Sequence, residues 1–371
     1  MLLINCLLRF ESVSQDQIKN YSDEYFSIKN TTIVHKSVNR MEKISLKPDR
    51  YGWETTENES ELSPEELLAR KIESETEKMR ESKWIEMLRN WDVYSTKKYS
   101  KLKERVRKGI PDAMRSKVWQ LLIDPPSQEI NSRVSLDSLI SKGRQKCCDV
   151  IEADLGRTNP HCLMFKNPKT IESLRRVLYA YSNYDPELGY TQGMSFIASL
   201  LLQYMDEDQA YYCLQSLMQN TRYHLRMFYI SGFPKLMDAS KIWDVALKLK
   251  YPKVSENFEK QGILSLVYIP SWFLTMFLNI DFPIHVRLRI FDRYAIYGFR
   301  ALLSFGMVII SRLKNILSVS KTDVILMAFQ KPSESTEFDD WRYLLKKYDD
   351  LWIGQLVYKK ILEESGIEGF E

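Results

Sequence analysis

Ile-Glu-Ala-Asp-Leu-Gly-Arg-Thr-Asn-Pro at 151–160 is answered downstream by Gly-Tyr-Thr-Gln-Gly-Met-Ser at 189–195, and the reading of the chain turns on these two stretches. Cys147, Ile151 and Leu155 recur every four residues, which predicts a helix with one apolar edge. Gly156 weakens that helix and Pro160 drives Asn159 out of helical geometry, so it should stop near Thr158. Arg157 then stands at a helix C-terminus opening into a loop. Leu174, Val177, Leu178 and Tyr181 mark a further helix, followed by the turn-rich segment 183–189. Met194, Ile197, Ala198, Leu201 and Met205 then set up an amphipathic helix, with Thr191 as its N-cap and Gln192 in its first turn.

The same helical period extends outward in both directions. Ser63-Pro64-Glu65-Glu66 predicts a helix start, with serine at the cap, proline at the first helical position and glutamate three residues after the cap. That helix is charged until Lys83, after which Trp84, Met87, Leu88 and Trp91 form an apolar face. Met114, Val118, Leu121 and Leu122, with Trp119 beside them, give the next helix, which Asp124-Pro125-Pro126 ends. Residues 127–141 are polar and read as a surface connection or a short helix. Ala210, Cys213, Leu214 and Leu217 form another stripe, preceded by Asp206, Glu207 and Asp208 where a helix N-terminus favours acids. Further helices are expected over 242–249, in two halves of 261–280, over 286–296 and over 302–317. Trp341, Leu344, Leu345, Leu351, Leu356 and Ile361 suggest closing helices. No βαβ alternation and no fixed-period repeat occurs, so the expected fold class is all-α. Residues 1 to about 60 show no sustained period and read as a weakly structured or short-stranded leader, with an apolar start at 1–10 that would form a strand or pack as helix.

Composition narrows the function. Fifty-three basic residues face 49 acidic ones, for a net charge of +4 with no dominant basic run, which argues against a nucleic-acid partner. The five cysteines, Cys6, Cys147, Cys148, Cys162 and Cys213, lack paired CxxC spacing, and there are only four histidines. Neither a zinc site nor a disulfide framework is indicated, and a reducing, cytoplasmic setting fits. The uncharged run from Gln261 to Ile280 is long enough for a bilayer, but Pro270 and its polar residues divide it into two short core segments, so no transmembrane span is expected. No GxxxxGK[ST] loop, GxGxxG, HExxH or GxSxG pattern is present. Any phosphate chemistry must use a nucleotide carried by another molecule.

Asp154 and Arg157 lie three residues apart on one helical face, where a carboxylate can hold a guanidinium in one orientation. Arginine suits phosphoryl transfer because its planar fork stays charged and matches phosphate oxygens. A glutamine amide, at once donor and acceptor, can orient a water for in-line attack. On these residues alone, an ordinary surface ion pair and an exposed first-turn glutamine are the favoured account of the pattern.

Taken together, Ile151, Asp154 and Arg157 in an IxxDxxR pattern and Tyr190, Thr191 and Gln192 in a YxQ pattern, followed by Gly193 and Met194, resemble the signature of the TBC domain family, the GTPase-activating proteins of Rab small GTPases. The flanks agree: Lys108-Gly109-Ile110-Pro111, Arg115, Val118-Trp119 and Leu122 are similar to the family's opening segment, as are Arg157-Thr158-Asn159-Pro160 with Phe165 and the run 178–182 to its middle. Trp272-Phe273-Leu274-Thr275 and Arg289-Ile290-Phe291-Asp292 resemble later blocks, whereas Tyr297-Gly298 stands where the family commonly has an acidic residue before glycine. The similarity covers roughly residues 105 to 330. It implies an all-helical domain of two packed lobes at 101–330, preceded by an N-terminal extension at 1–100 and followed by a helical segment at 331–371 that packs on the domain. It also implies a dual-finger mechanism in which Arg157 and Gln192 are catalytic and Ile151, Asp154, Tyr190, Gly193 and Arg115 support them. The partner would be a Rab GTPase in its GTP form, carrying the GTP and Mg²⁺, so the chain would have no cofactor of its own. Peripheral recruitment to endomembranes and a role in vesicle trafficking are further expectations of the resemblance. A catalytically weak Rab-binding scaffold or adaptor is the alternative.

Overall fold

A computed structural model of the chain describes residues 47–48, 52–55, 64–124, 134–143, 145–280, 282–330, 338 and 340–370. The expectations for 1–10, for Cys6, for Ser63 as a cap and for 127–133 lie outside the described residues. Helices dominate what is described; the strand content is one antiparallel pair of two-residue strands, Lys47–Pro48 and Glu54–Thr55. Helix starts follow local chemistry. Pro168, Pro234 and Pro252 each open a helix at the position where the missing N–H costs nothing. Asn167, Asp206 and Asp340 cap helices by accepting from backbone N–H groups in the first turn.

The first lobe is built around helix Pro168–Tyr184, which touches Leu136–Ile140, Cys148–Leu155, Met194–Leu202 and Glu207–Gln219. Its apolar stripe, Leu174, Val177, Leu178 and Tyr181, is at most 1% exposed. Each such side chain contributes about 1.5–3 kcal/mol of transfer free energy. The segment read as polar surface contributes core after all: Ser135 caps the short helix Leu136–Ile140, and Leu136 and Leu139 are buried against the central helix. In the second lobe, helix Phe299–Leu317 packs on Ile284–Tyr297, on Pro252–Gln261 and on the late helix Trp341–Asp350. The final helix, Gln355–Ser365, packs on Pro234–Lys250. Ile361 is buried there, but Leu356 is 84% exposed and does not belong to the core stripe assigned to it. The uncharged run 261–280 breaks into a 3-10 turn, Ser265–Val267, and a five-residue helix, Ile269–Phe273, all within the core. Among the described residues no helix is long and apolar enough to cross a membrane.

The lobes are joined by helix Ile284–Tyr297, which packs on Tyr99–Lys108 and Asp112–Ile123. At this joint Asp292, fully buried, accepts from Arg115 Nε at 3.2 Å and from Trp119 Nε1 at 2.9 Å. Arg115 also reaches Asp112 and lies 3.5 Å from the Tyr204 hydroxyl. The next residue, Arg293, stacks on Tyr348, 4.0 Å from its ring centroid, and donates to the Arg107 carbonyl and to Asp349. At the departure from the family pattern, the Tyr297 hydroxyl donates to the Lys103 carbonyl at 3.0 Å, and Gly298 joins two long helices.

Candidate functional site

Helix Cys148–Leu155 ends with the last residue of its apolar period, three residues before the stop near Thr158 expected from Pro160, and Gly156 is its C-cap. Arg157 follows in a turn, its N–H donating to the Asp154 carbonyl at 3.2 Å. Facing it, the second helix begins at Met194 and not around Gln192. Its N-cap is Gly193, at φ 109°, so Thr191 is not the cap and Gln192 lies in the turn before the helix. That φ is costly for any residue with a Cβ. A Cβ there would also stand 3.4 Å from the Leu274 carbonyl oxygen and the Thr275 methyl. Thr191 donates to the Tyr229 carbonyl at 3.3 Å, and Tyr229 in turn donates to the Leu274 carbonyl. The second lobe thus fixes the glutamine turn from behind.

The two turns meet. Asp154, 2% exposed, accepts from Arg157 Nε at 2.7 Å and also from Nη2, while its other oxygen accepts from the Tyr190 hydroxyl at 2.6 Å. Burial, then the adjacent Asp154 carboxylate, pushes the Tyr190 hydroxyl well above its ordinary pKa, so it keeps its proton and remains a donor. The Gln192 amide satisfies its neighbours with its oxygen toward Arg157, accepting from Nη1 at 3.0 Å and from Nη2. Of the five guanidinium hydrogens, these contacts leave one on Nη1 uncommitted. The Arg157 side chain is nevertheless 44% exposed, and Gln192 is half-buried. A fork of donors and an amide therefore share one solvent-facing edge, each on a short turn between packed helices.

Of the residues expected to support this pair, Asp154, Tyr190 and Gly193 are in it or directly behind it. Ile151 is a fully buried core residue of the arginine's helix. Arg115 pairs with Asp292 and Asp112 at the lobe joint. Sequence reasoning missed the floor under the arginine turn. The Thr158 hydroxyl bridges the Asp154 carbonyl, at 2.7 Å, and the Ser195 hydroxyl, at 2.9 Å, and Asn159 Nδ2 donates to the Ser199 hydroxyl at 2.7 Å. Ser195 and Ser199, four apart on an otherwise apolar helix, were the available signal. Among the described residues no group of three or more His, Cys, Asp or Glu could hold a metal.

Comparison with known proteins fits this geometry. A sequence profile of the Rab-GTPase-TBC domain matches residues 112–317, more than half of the chain. The chain belongs to the Rab-GTPase-TBC domain family. It is similar to TBC1 domain family member 10A of Mus musculus, 31% identical over 265 residues that make up 71% of this chain and 51% of the relative. It is also similar to GTPase-activating protein GYP5 of Eremothecium gossypii, 33% identical over 272 residues, 71% of this chain and 32% of the relative. The chain thus spans about half of the first of these relatives and about a third of the second. Among solved structures, a Chlamydomonas flagellar RabGAP TBC domain aligns with a TM-score of 0.62 at 20% identity, covering 82% of this chain and 99% of that one. The Ypt/Rab-GAP domain of Gyp1p aligns at 0.57 and 19% identity, covering 70% and 93%. At these identities the structural likeness concerns the TBC fold alone.

Proposed function

We propose that this chain is a GTPase-activating protein that stimulates GTP hydrolysis by a Rab-type small GTPase in its GTP form, supplying Arg157 and Gln192 in trans, and so regulates vesicle trafficking at endomembrane surfaces. The observation that carries the reading is the contact between the Arg157 guanidinium and the Gln192 amide at one exposed edge, with a buried carboxylate fixing the arginine from behind. GTP and Mg²⁺ arrive with the partner. On docking, Arg157 exchanges the Gln192 oxygen for an oxygen of the transferring phosphoryl group and neutralises charge that develops there. Gln192, released, presents its amide oxygen and N–H to the attacking water. Asp154 keeps its hold on Nε throughout and so preserves the orientation of the fork.

Tyr190→Phe isolates that hold. It leaves one oxygen of a buried carboxylate without its donor, at about 1–3 kcal/mol, and lets the arginine reorient. Stimulated hydrolysis should fall roughly tenfold, the effect of about 1.4 kcal/mol on the barrier. Single-turnover assays that show native rates in this variant would mean that Asp154 positions the arginine without help.

The reading is tested by GTP hydrolysis across a panel of purified Rab proteins with and without the full chain. Acceleration of one or a few is expected. Binding of a GTP-loaded Rab with no acceleration of any would replace the activator with a scaffold.

A further inference from the structure

The arginine turn has an anchor that lies upstream of the profile-matched region. The Leu163 N–H donates to the Gly52 carbonyl at 2.8 Å, and Trp53 forms an antiparallel bridge with Cys162. Trp53 is 7% exposed and Cys162 is fully buried. The face of the indole meets the Arg287 guanidinium, whose carbon lies 3.8 Å from the ring centroid. Arg287 belongs to helix Ile284–Tyr297 and is itself only 5% exposed. A cation held over an aromatic face away from water is an attraction of about 2 kcal/mol, beyond the burial of the ring itself. Gly52 lies at φ 76°, which turns the chain so that its carbonyl faces the loop.

These contacts complete the support of residues 157–163. The near end is held by Asp154, the middle by Ser195 and Ser199, and the far end by Gly52 and Trp53. The last of these fastens the loop to the second lobe, from which the Gln192 turn is also held. Without it, the loop's far end would be tied to the first lobe alone, and Arg157 and Gln192 would no longer share one frame.

We propose that Gly52–Trp53 is a strap that positions the Arg157 loop, with Trp53 as a positioning residue for stimulated hydrolysis. The proposal rests on the function given above, since it assigns Arg157 a task that needs fixed geometry; misplacement by about 1 Å can cost on the order of 10²-fold in rate. Trp53 holds the far end of the loop through Cys162 and Arg287, so its effect on the placement of Arg157 should appear in kcat.

The test compares the full chain with Trp53→Ala, Trp53→Leu, Trp53→Phe and Gly52→Ala, reading two quantities. Amide hydrogen exchange of peptides over 157–165 reports the strap, with helix Pro168–Tyr184 as the internal control; single-turnover hydrolysis by the Rab that the panel selects reports positioning. Trp53→Ala and Trp53→Leu should raise exchange over 157–165 by about tenfold or more and lower kcat by about 10- to 100-fold, with KM little changed. Trp53→Phe, which keeps a ring over Arg287, should recover most of both. If Trp53→Ala does not fold, Trp53→Leu preserves apolar volume, and Gly52→Ala strains the strap without removing the ring. Unchanged exchange over 157–165 in the folded variants overturns the strap, whatever the activity. Raised exchange with native kcat, or a loss confined to KM, overturns positioning. A native chain that accelerates no Rab defeats the proposed function, and the exchange measurement still decides the strap.

Discussion

Arg157→Ala is expected to lower stimulated GTP hydrolysis by about 10³–10⁵-fold, equivalent to about 4–7 kcal/mol of barrier. The magnitude follows from what is lost. Alanine removes a permanent charge and a planar fork, both needed where negative charge gathers on phosphoryl oxygens. Arg157→Lys should be nearly as poor, because an ammonium offers a point charge that cannot span Asp154 and a phosphate oxygen at once. Stability should fall by only about 1–2 kcal/mol, since the guanidinium is 44% exposed and water can take its place beside Asp154. Gln192→Ala should also lose several orders of magnitude while leaving the fold intact. Near-native hydrolysis with Arg157→Lys, measured at saturating protein, would show that the arginine acts only as diffuse charge.

Asp292→Ala should cost about 3–5 kcal/mol in stability, because one partner of a buried ion pair is removed and the other stays. Arg115 is 5% exposed, and the Trp119 indole N–H loses its acceptor in the same step. Asp112, still bonded to Arg115, keeps the cost from rising further. Replacing both members with apolar side chains, as in Asp292→Leu with Arg115→Met, should recover part of the loss, since the buried Arg115 charge is gone while the Trp119 N–H still lacks its acceptor. Urea denaturation decides it: a loss below about 1 kcal/mol for Asp292→Ala would mean that the joint is solvated and its ion pair is no tie between the lobes.

The contrast between these two arginines shows what was legible in the chain. The helical period located many of the packed helices, though not Tyr99–Lys108 or Pro252–Gln261, and the stripe Leu174, Val177, Leu178 and Tyr181 is buried as its spacing demands. The i, i+3 relation of Asp154 and Arg157 was enough to pair them, because local geometry fixes it. Arg115 has the same i, i+3 relation to Asp112, but its other partner, Asp292, lies 177 positions away, so only the folded chain shows that it belongs to the lobe joint. The same holds for the N-cap before Met194. Threonine and glycine cap about equally well by preference, so the sequence could not choose between Thr191 and Gly193, which takes the cap at φ 109°, a backbone angle that glycine adopts easily. Trp53 was unreadable for a related reason, since a lone tryptophan in an aperiodic leader gives no sign that a bridge and a guanidinium await it.

The hydrogen bonds between Arg157 and Gln192 set a threshold for whatever approaches the site. Any newcomer must outbid an amide oxygen already in place. A neutral carbonyl offers no more than Gln192 does and gains nothing by the exchange. An anionic phosphoryl oxygen brings a full opposite charge to the guanidinium and can engage its fork, which a neutral carbonyl does not. If the pair works as proposed, the resting contact would favour phosphate over uncharged acceptors.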